Sequence, residues 1–254
     1  MAAPTRRAKR FRPPPRSQGV SQANLVEECL LVLSLSLLAS AVYAIISLTS
    51  APLEGATVYA VPQVGLATQL ANFAFGLAPV WLVVFLLRRN GEGLSQIGLA
   101  LNRPGQDLAS GMVLFVIVGA AGIGIYLVSV ALGANRFVVP VPPLGHWWTI
   151  PVLFLNAAQA ALVEEVIVVG YLITRLQQLR LSEPAAVGAS ALLRGAYHLY
   201  QGWGGFVGNL ALGLFFGSFF ARTRRTWPLV VAHLLLDVGA GIGYILFRDH
   251  LPGS

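Results

Sequence analysis

Two adjacent carboxylates stand inside an apolar run: residues 161–170 read ALVEEVIVVG, with Glu164 and Glu165 side by side. Two later apolar stretches carry polar pairs four residues apart, Arg194/His198 and His233/Asp237. On a helix that spacing sets both members of a pair on one face, one above the other. Neighbouring acids point about 100° apart on a helix, so one can pair with Arg194 while the other faces water or substrate. A glutamate left unpaired in such apolar surroundings would suit a general base near neutrality. His198 and His233 can share protons or bind a metal, and Asp237 can fix the tautomer of His233 or donate when protonated. Two histidines with one or two carboxylates are also the ligand set of a hydrolytic zinc site with an open position. Zinc on His198 and His233 is therefore the candidate cofactor. Activation of water by the same groups without a metal stands beside it.

The cost of placing these groups in lipid argues that they meet. A charged side chain at mid-bilayer costs about 2.5–3.5 kcal/mol on insertion scales, so Glu164, Glu165, Arg194 and Asp237 standing alone would cost roughly 10–14 kcal/mol. That equals the whole stability of a typical domain, about 5–15 kcal/mol. They must pair, lose charge or line a wet cavity. One buried site drawn from three helices is expected, and the bland alternative is a polar network that only cross-braces the helices.

The rest of the chain supports a membrane setting. Of 254 residues, 56% are hydrophobic and 11% charged, against about 25% charged in a soluble domain. Several apolar runs reach about twenty residues, the length that crosses a bilayer. The reading is an all-α polytopic helical bundle of seven transmembrane helices, or eight if a short segment adds one. They fall near 24–48, 66–87, 107–132, 149–179, 183–200, 206–221 and 227–247. Residues 1–22 form a disordered basic tail, and 23–254 one transmembrane domain with its catalytic core near 150–247. The net charge of +7 does not point to nucleic acid, because the basic residues fall between the apolar runs. With the N-terminus in the cytoplasm, 14 of the 17 basic residues lie inside, Arg175 and Arg180 among them, while Arg136 and Arg248 lie outside. The tail's arginines and Lys9 orient the chain and can meet anionic lipid. The plasma membrane is the expected location, and no cleavable signal peptide is expected. Cys29, the single cysteine, reads as apolar filler, His146 as an exposed or interfacial loop histidine, and His250 as an exposed one without a role.

The order of these motifs resembles the CPBP family, the CAAX prenyl endopeptidase and bacteriocin-processing (Abi) proteins. The resemblance rests on E-E followed by G-Y-L, a histidine in the fifth helix and H-x-x-x-D near the C-terminus, and covers about residues 150–247. It implies an all-helical membrane fold that cleaves a peptide or protein substrate within the bilayer. By position, Glu164 is similar to the family's water-activating base and Glu165 to its structural partner. His198 matches the second motif, and His233 with Asp237 the third; in such a site the histidines bind metal or stabilise the tetrahedral oxyanion. Two positions depart from the pattern: Val169 stands where the family has arginine, and Arg194 where it has phenylalanine. The arginine is read as having moved between helices, which predicts Arg194 within about 4 Å of Glu165. The competing function is a catalytically inactive scaffold or small transporter that uses the polar cluster structurally, or to hold a ligand or proton.

Overall fold

The computed structural model describes residues 20–50, 65–133 and 141–247. The tail up to residue 19, Arg136, Arg248 and His250 lie outside the described residues. Among the described residues every regular element is helical. In chain order these are α1 (Gln22–Ser34), α2 (Leu37–Ser50), α3 (Leu66–Gly76), α4 (Ala78–Arg89), α5 (Pro104–Ala131), α6 (Thr149–Val163), α7 (Leu172–Gln178), α8 (Glu183–Tyr197), α9 (Trp203–Thr223) and α10 (Trp227–Phe247). A π-helical segment, Glu164–Tyr171, joins α6 to α7, and short 3₁₀ turns occupy Leu94–Ile97 and Leu199–Gln201.

Among the described residues five helical spans are long and apolar enough to cross a membrane, including the continuous Thr149–Gln178, and α1 with α2 makes a sixth if counted as one. The expected first helix is thus broken. Ser34 and Ser36 donate their hydroxyls to the carbonyls of Leu31 and Val32, a back-bonding that bends helices. The two pieces meet at 54°. The second span is interrupted between α3 and α4, where Pro79 sits in the first turn of α4 and has no N–H to offer the helix before it. The expected fifth helix, α8, has 15 residues, about 22 Å at 1.5 Å per residue, and falls short of the roughly 30 Å apolar core. Large apolar side chains point outward from these helices, Phe75, Trp81, Val116 and Trp203 each more than half exposed. That is the surface a bilayer covers.

Small residues let the site-bearing helices approach closely, as membrane bundles require. A Cβ on Gly213 of α9 would lie 2.8 Å from the Ala191 backbone of α8, and one on Gly111 of α5 would lie 2.6 Å from Val231 of α10. The loop at 94–98 docks on the π-helical segment in the same way. Thr226 donates its hydroxyl to the Ile97 carbonyl and its N–H to that of Gly98. A Cβ on Gly170 would meet the Ile97 carbonyl oxygen at 2.8 Å. Gly170→Ala is therefore expected to lower stability by about 1–3 kcal/mol, the cost of overpacking, read as a fall in the thermal midpoint of the protein in detergent.

Arg175 departs from its reading as a cytoplasmic flank. It is fully buried, pairs with Glu92 at 2.6 Å and lies 3.8 Å from Glu28. Glu28 also accepts from Arg89 at 2.7 Å, and Gln178 donates to Glu92 at 3.0 Å. This network ties α1, α4 and the 90–93 connection to α7, just after the π-helical segment. Cys29 is buried beside Val32 and Val83, apolar filler as expected. His146 is exposed and stacks on Trp148 at 4.7 Å between ring centres.

Candidate active site

The two glutamates open the π-helical segment. Its first residues are followed by Val166, Ile167, Val168 and Val169, a β-branched run that crowds an α-helix at i, i+3 and i+4. The wider i→i+5 turn relieves that crowding: the Leu172 N–H reaches back to the Ile167 carbonyl. Ser190 of α8 donates to the Val168 carbonyl at 2.7 Å, which satisfies a backbone acceptor within the altered ladder. Segments of this kind are rare and concentrate at functional sites.

Arg194 is the hub. It is 1% exposed, and its guanidinium lies 3.2 Å from Glu164 Oε2 and 2.8 Å from Glu165 Oε1. The predicted Arg194–Glu165 pair is present. The other face of the guanidinium stacks 5.6 Å above the Phe216 ring of α9.

The two acids have different surroundings. Glu165 is 0% exposed; its Oε1 also faces His233 Nδ1 at 2.7 Å. An ionised carboxylate only accepts, so Nδ1 is the donor there. The 3.3 Å approach of Arg194 to the same nitrogen follows from two donors sharing one oxygen. His233 Nε2 faces Asp237 Oδ2 at 3.4 Å. Glu164 instead keeps 13% of its side chain exposed. Its Oε2 accepts from the Tyr197 hydroxyl at 2.8 Å, and among the described residues nothing holds its Oε1. Glu164 also lines a cavity of about 630 Å³ that reaches between the α1–α2 bend, the α3–α4 break and α6.

His198 joins this group through α8. Its Nδ1 lies 3.0 Å from the Arg194 carbonyl, which can only accept, so Nδ1 carries the proton and Nε2 is the free nitrogen. Tyr197 and Tyr200 flank the ring at 4.7 and 6.1 Å. Glu164, Glu165, Arg194, His233 and Asp237 thus form one chain of contacts, with His198 attached by the backbone of Arg194. Tyr197 was not singled out from the sequence, although it lies three residues after Arg194 and shares its helix face.

A metal fits this arrangement poorly. Ligand atoms of Glu164, Glu165 and His233 come within 4.8 Å of one another, so the fold groups those three rather than the expected pair His198 and His233. Arg194 already places positive charge against both carboxylates. Each nitrogen of His233 faces a carboxylate, leaving neither free to ligate. The donor set is taken up by internal ion pairs, and no step is routed through a metal.

A bundle of apolar helices that buries carboxylate, guanidinium and imidazole groups beside a cavity indicates an integral membrane protein with a polar site inside its bundle. Residues 146–239 match the family described as type II CAAX prenyl endopeptidase Rce1-like, in keeping with the resemblance to the CPBP family over that segment. The matched segment contains every site residue from Glu164 to Asp237. It is a protease family, which supports a protease acting on a peptide or protein in a membrane context. No curated protein and no solved structure matches the chain.

Proposed function

We propose that this protein is an intramembrane endopeptidase in which Glu164 takes a proton from water as that water attacks a peptide carbonyl. The proton then passes to the leaving amine, completing hydrolysis. The reading is carried by one observation: Glu164 is the carboxylate that meets the cavity, while its neighbour Glu165 is sealed. His198 Nε2 accepts a hydrogen bond from the same water. Arg194 and Tyr197, already against Glu164, supply positive charge and a hydroxyl where negative charge develops. Glu165, His233 and Asp237 act at one remove, by holding Arg194 and closing the base of the site.

Seven crossings with the N-terminus in the cytoplasm complete the proposal, α8 being counted as a short one, and the plasma membrane is the proposed location. The non-hydrolytic alternative, a scaffold or transporter, draws on the pairing of Arg194 with both glutamates. The unheld Oε1 of Glu164 favours hydrolysis.

The test uses the full chain reconstituted in lipid nanodiscs with a quenched fluorescent peptide ending in Cys-aliphatic-aliphatic-X, with and without a farnesyl group. Cleavage of either form is expected, and silence toward both across a range of such peptides would remove the endopeptidase reading. Because Arg194 stands where a metal would draw the acids together, zinc chelation is expected to leave the cleavage rate unchanged. A rate that falls with chelator and returns with zinc would restore the metal.

A further inference from the structure

The cavity beside Glu164 has apolar walls from Leu35, Phe75, Leu82 and Val163, and one side-chain amide, that of Gln159. Gln159 is half-buried and, among the described residues, its amide has no hydrogen-bond partner. A neighbouring backbone makes room for it. A Cβ on Gly76, at the end of α3, would lie 1.9 Å from Gln159 Nε2. No other residue at 76 leaves the amide where it is.

The spacing to the proposed base is informative. Gln159 precedes Glu164 by five residues, about 7.5 Å along a helix at 1.5 Å per residue. An extended chain covers that distance in roughly two residues at about 3.3 Å each. A primary amide offers a donor and an acceptor together, the complement of one peptide unit in an extended chain. A lipid tail in the same cavity would have no use for it.

We infer that Gln159 reads the main chain of the substrate, its side-chain amide bonding the N–H and C=O of a peptide unit two residues from the scissile bond while the chain lies extended along α6 through the cavity. This rests on the endopeptidase reading and adds the residue that sets the register of the cleaved peptide. Apolar substrate side chains on either side of that unit pack on Phe75 and Leu82.

The experiment measures binding apart from cleavage. Glu164→Gln protein in nanodiscs, with and without Gln159→Met, is titrated with fluorescently labelled Cys-aliphatic-aliphatic-X peptides. In these peptides each main-chain amide is replaced in turn by an ester, which removes the N–H and weakens the carbonyl. The scissile bond is mapped by mass spectrometry with the otherwise unaltered chain. The ester two residues from it is expected to weaken binding about fivefold, the worth of one ordinary hydrogen bond, and to cost nothing once Gln159 is methionine. Gly76→Ala, which displaces the amide without removing it, should reproduce the methionine result. Equal ester penalties with and without Gln159 overturn the inference, as does an absence of peptide binding. If cleavage persists while binding is indifferent to Gln159, the inference falls and the endopeptidase reading stands. Binding that depends on Gln159 without any cleavage removes the hydrolytic reading and, with no scissile bond to count from, overturns the register assigned to Gln159 as well.

Discussion

Arg194→Met is expected to destabilise the protein by about 3–5 kcal/mol, the usual cost of removing one partner from a buried ion pair. Methionine fills much of the same volume over Phe216, so lost packing is the smaller part. The larger part is electrostatic, because two carboxylates within 3.2 and 2.8 Å of the guanidinium would face each other with no cation between them. Lysine in place of Arg194 should recover only part of the loss. Its single point charge cannot span two carboxylates and stack on a ring as a planar guanidinium does. The sharper variant is Val169→Arg combined with Arg194→Phe, which returns both positions to the pattern of the family it resembles. Val169 is fully buried in the cluster that contains Phe216, the ring beneath Arg194. A guanidinium from residue 169 therefore starts near the place it must reach. The double variant is expected to melt above Arg194→Phe alone in a thermal unfolding series in detergent. A double variant less stable than that single one would show that the arginine has not simply changed helices.

Much of the site was legible because ionisable groups are so costly in lipid that their types and spacing restrict where they can go. Glu164, Glu165, Arg194, His233 and Asp237 come together as that cost requires, and the Arg194–Glu165 pair was predictable in kind and distance. The π-helical turn was not. A run such as Val166–Val169 is compatible with any buried helix, and only the packing of Ser190 and Gly170 around it shows which ladder it adopts. The bend between α1 and α2 was hidden similarly, since Ser34 and Ser36 read as tolerable polar residues in an apolar run. Arg175 shows a different limit. Counting basic flanks treats each arginine as facing water, yet this one finds Glu28 and Glu92, distant in sequence, and is sealed by them. The surroundings of His233 were only half legible for a related reason: Asp237 was expected beside its ring, but Glu165 on the other nitrogen, at 2.7 Å, comes from a helix distant in sequence.

Glu164→Gln bears most directly on the chemistry. Glutamine keeps the shape and still accepts from the Tyr197 hydroxyl at Oε1 or its equivalent, but it cannot take a proton from water. General-base catalysis contributes about 10²–10⁴-fold, so the cleavage rate should fall by about that factor while the fold persists, with Arg194 still paired to Glu165. Glu165→Gln should behave differently, weakening the hold on Arg194 and His233 and so lowering stability along with rate. The decisive measurement is the initial rate of peptide cleavage by unaltered and Glu164→Gln protein reconstituted side by side in the same nanodiscs, with thermal midpoints recorded on both. A rate lower by at least about a hundredfold at an essentially unchanged midpoint is the expected result. Equal rates from two well-folded preparations would contradict the assignment of Glu164 as the base.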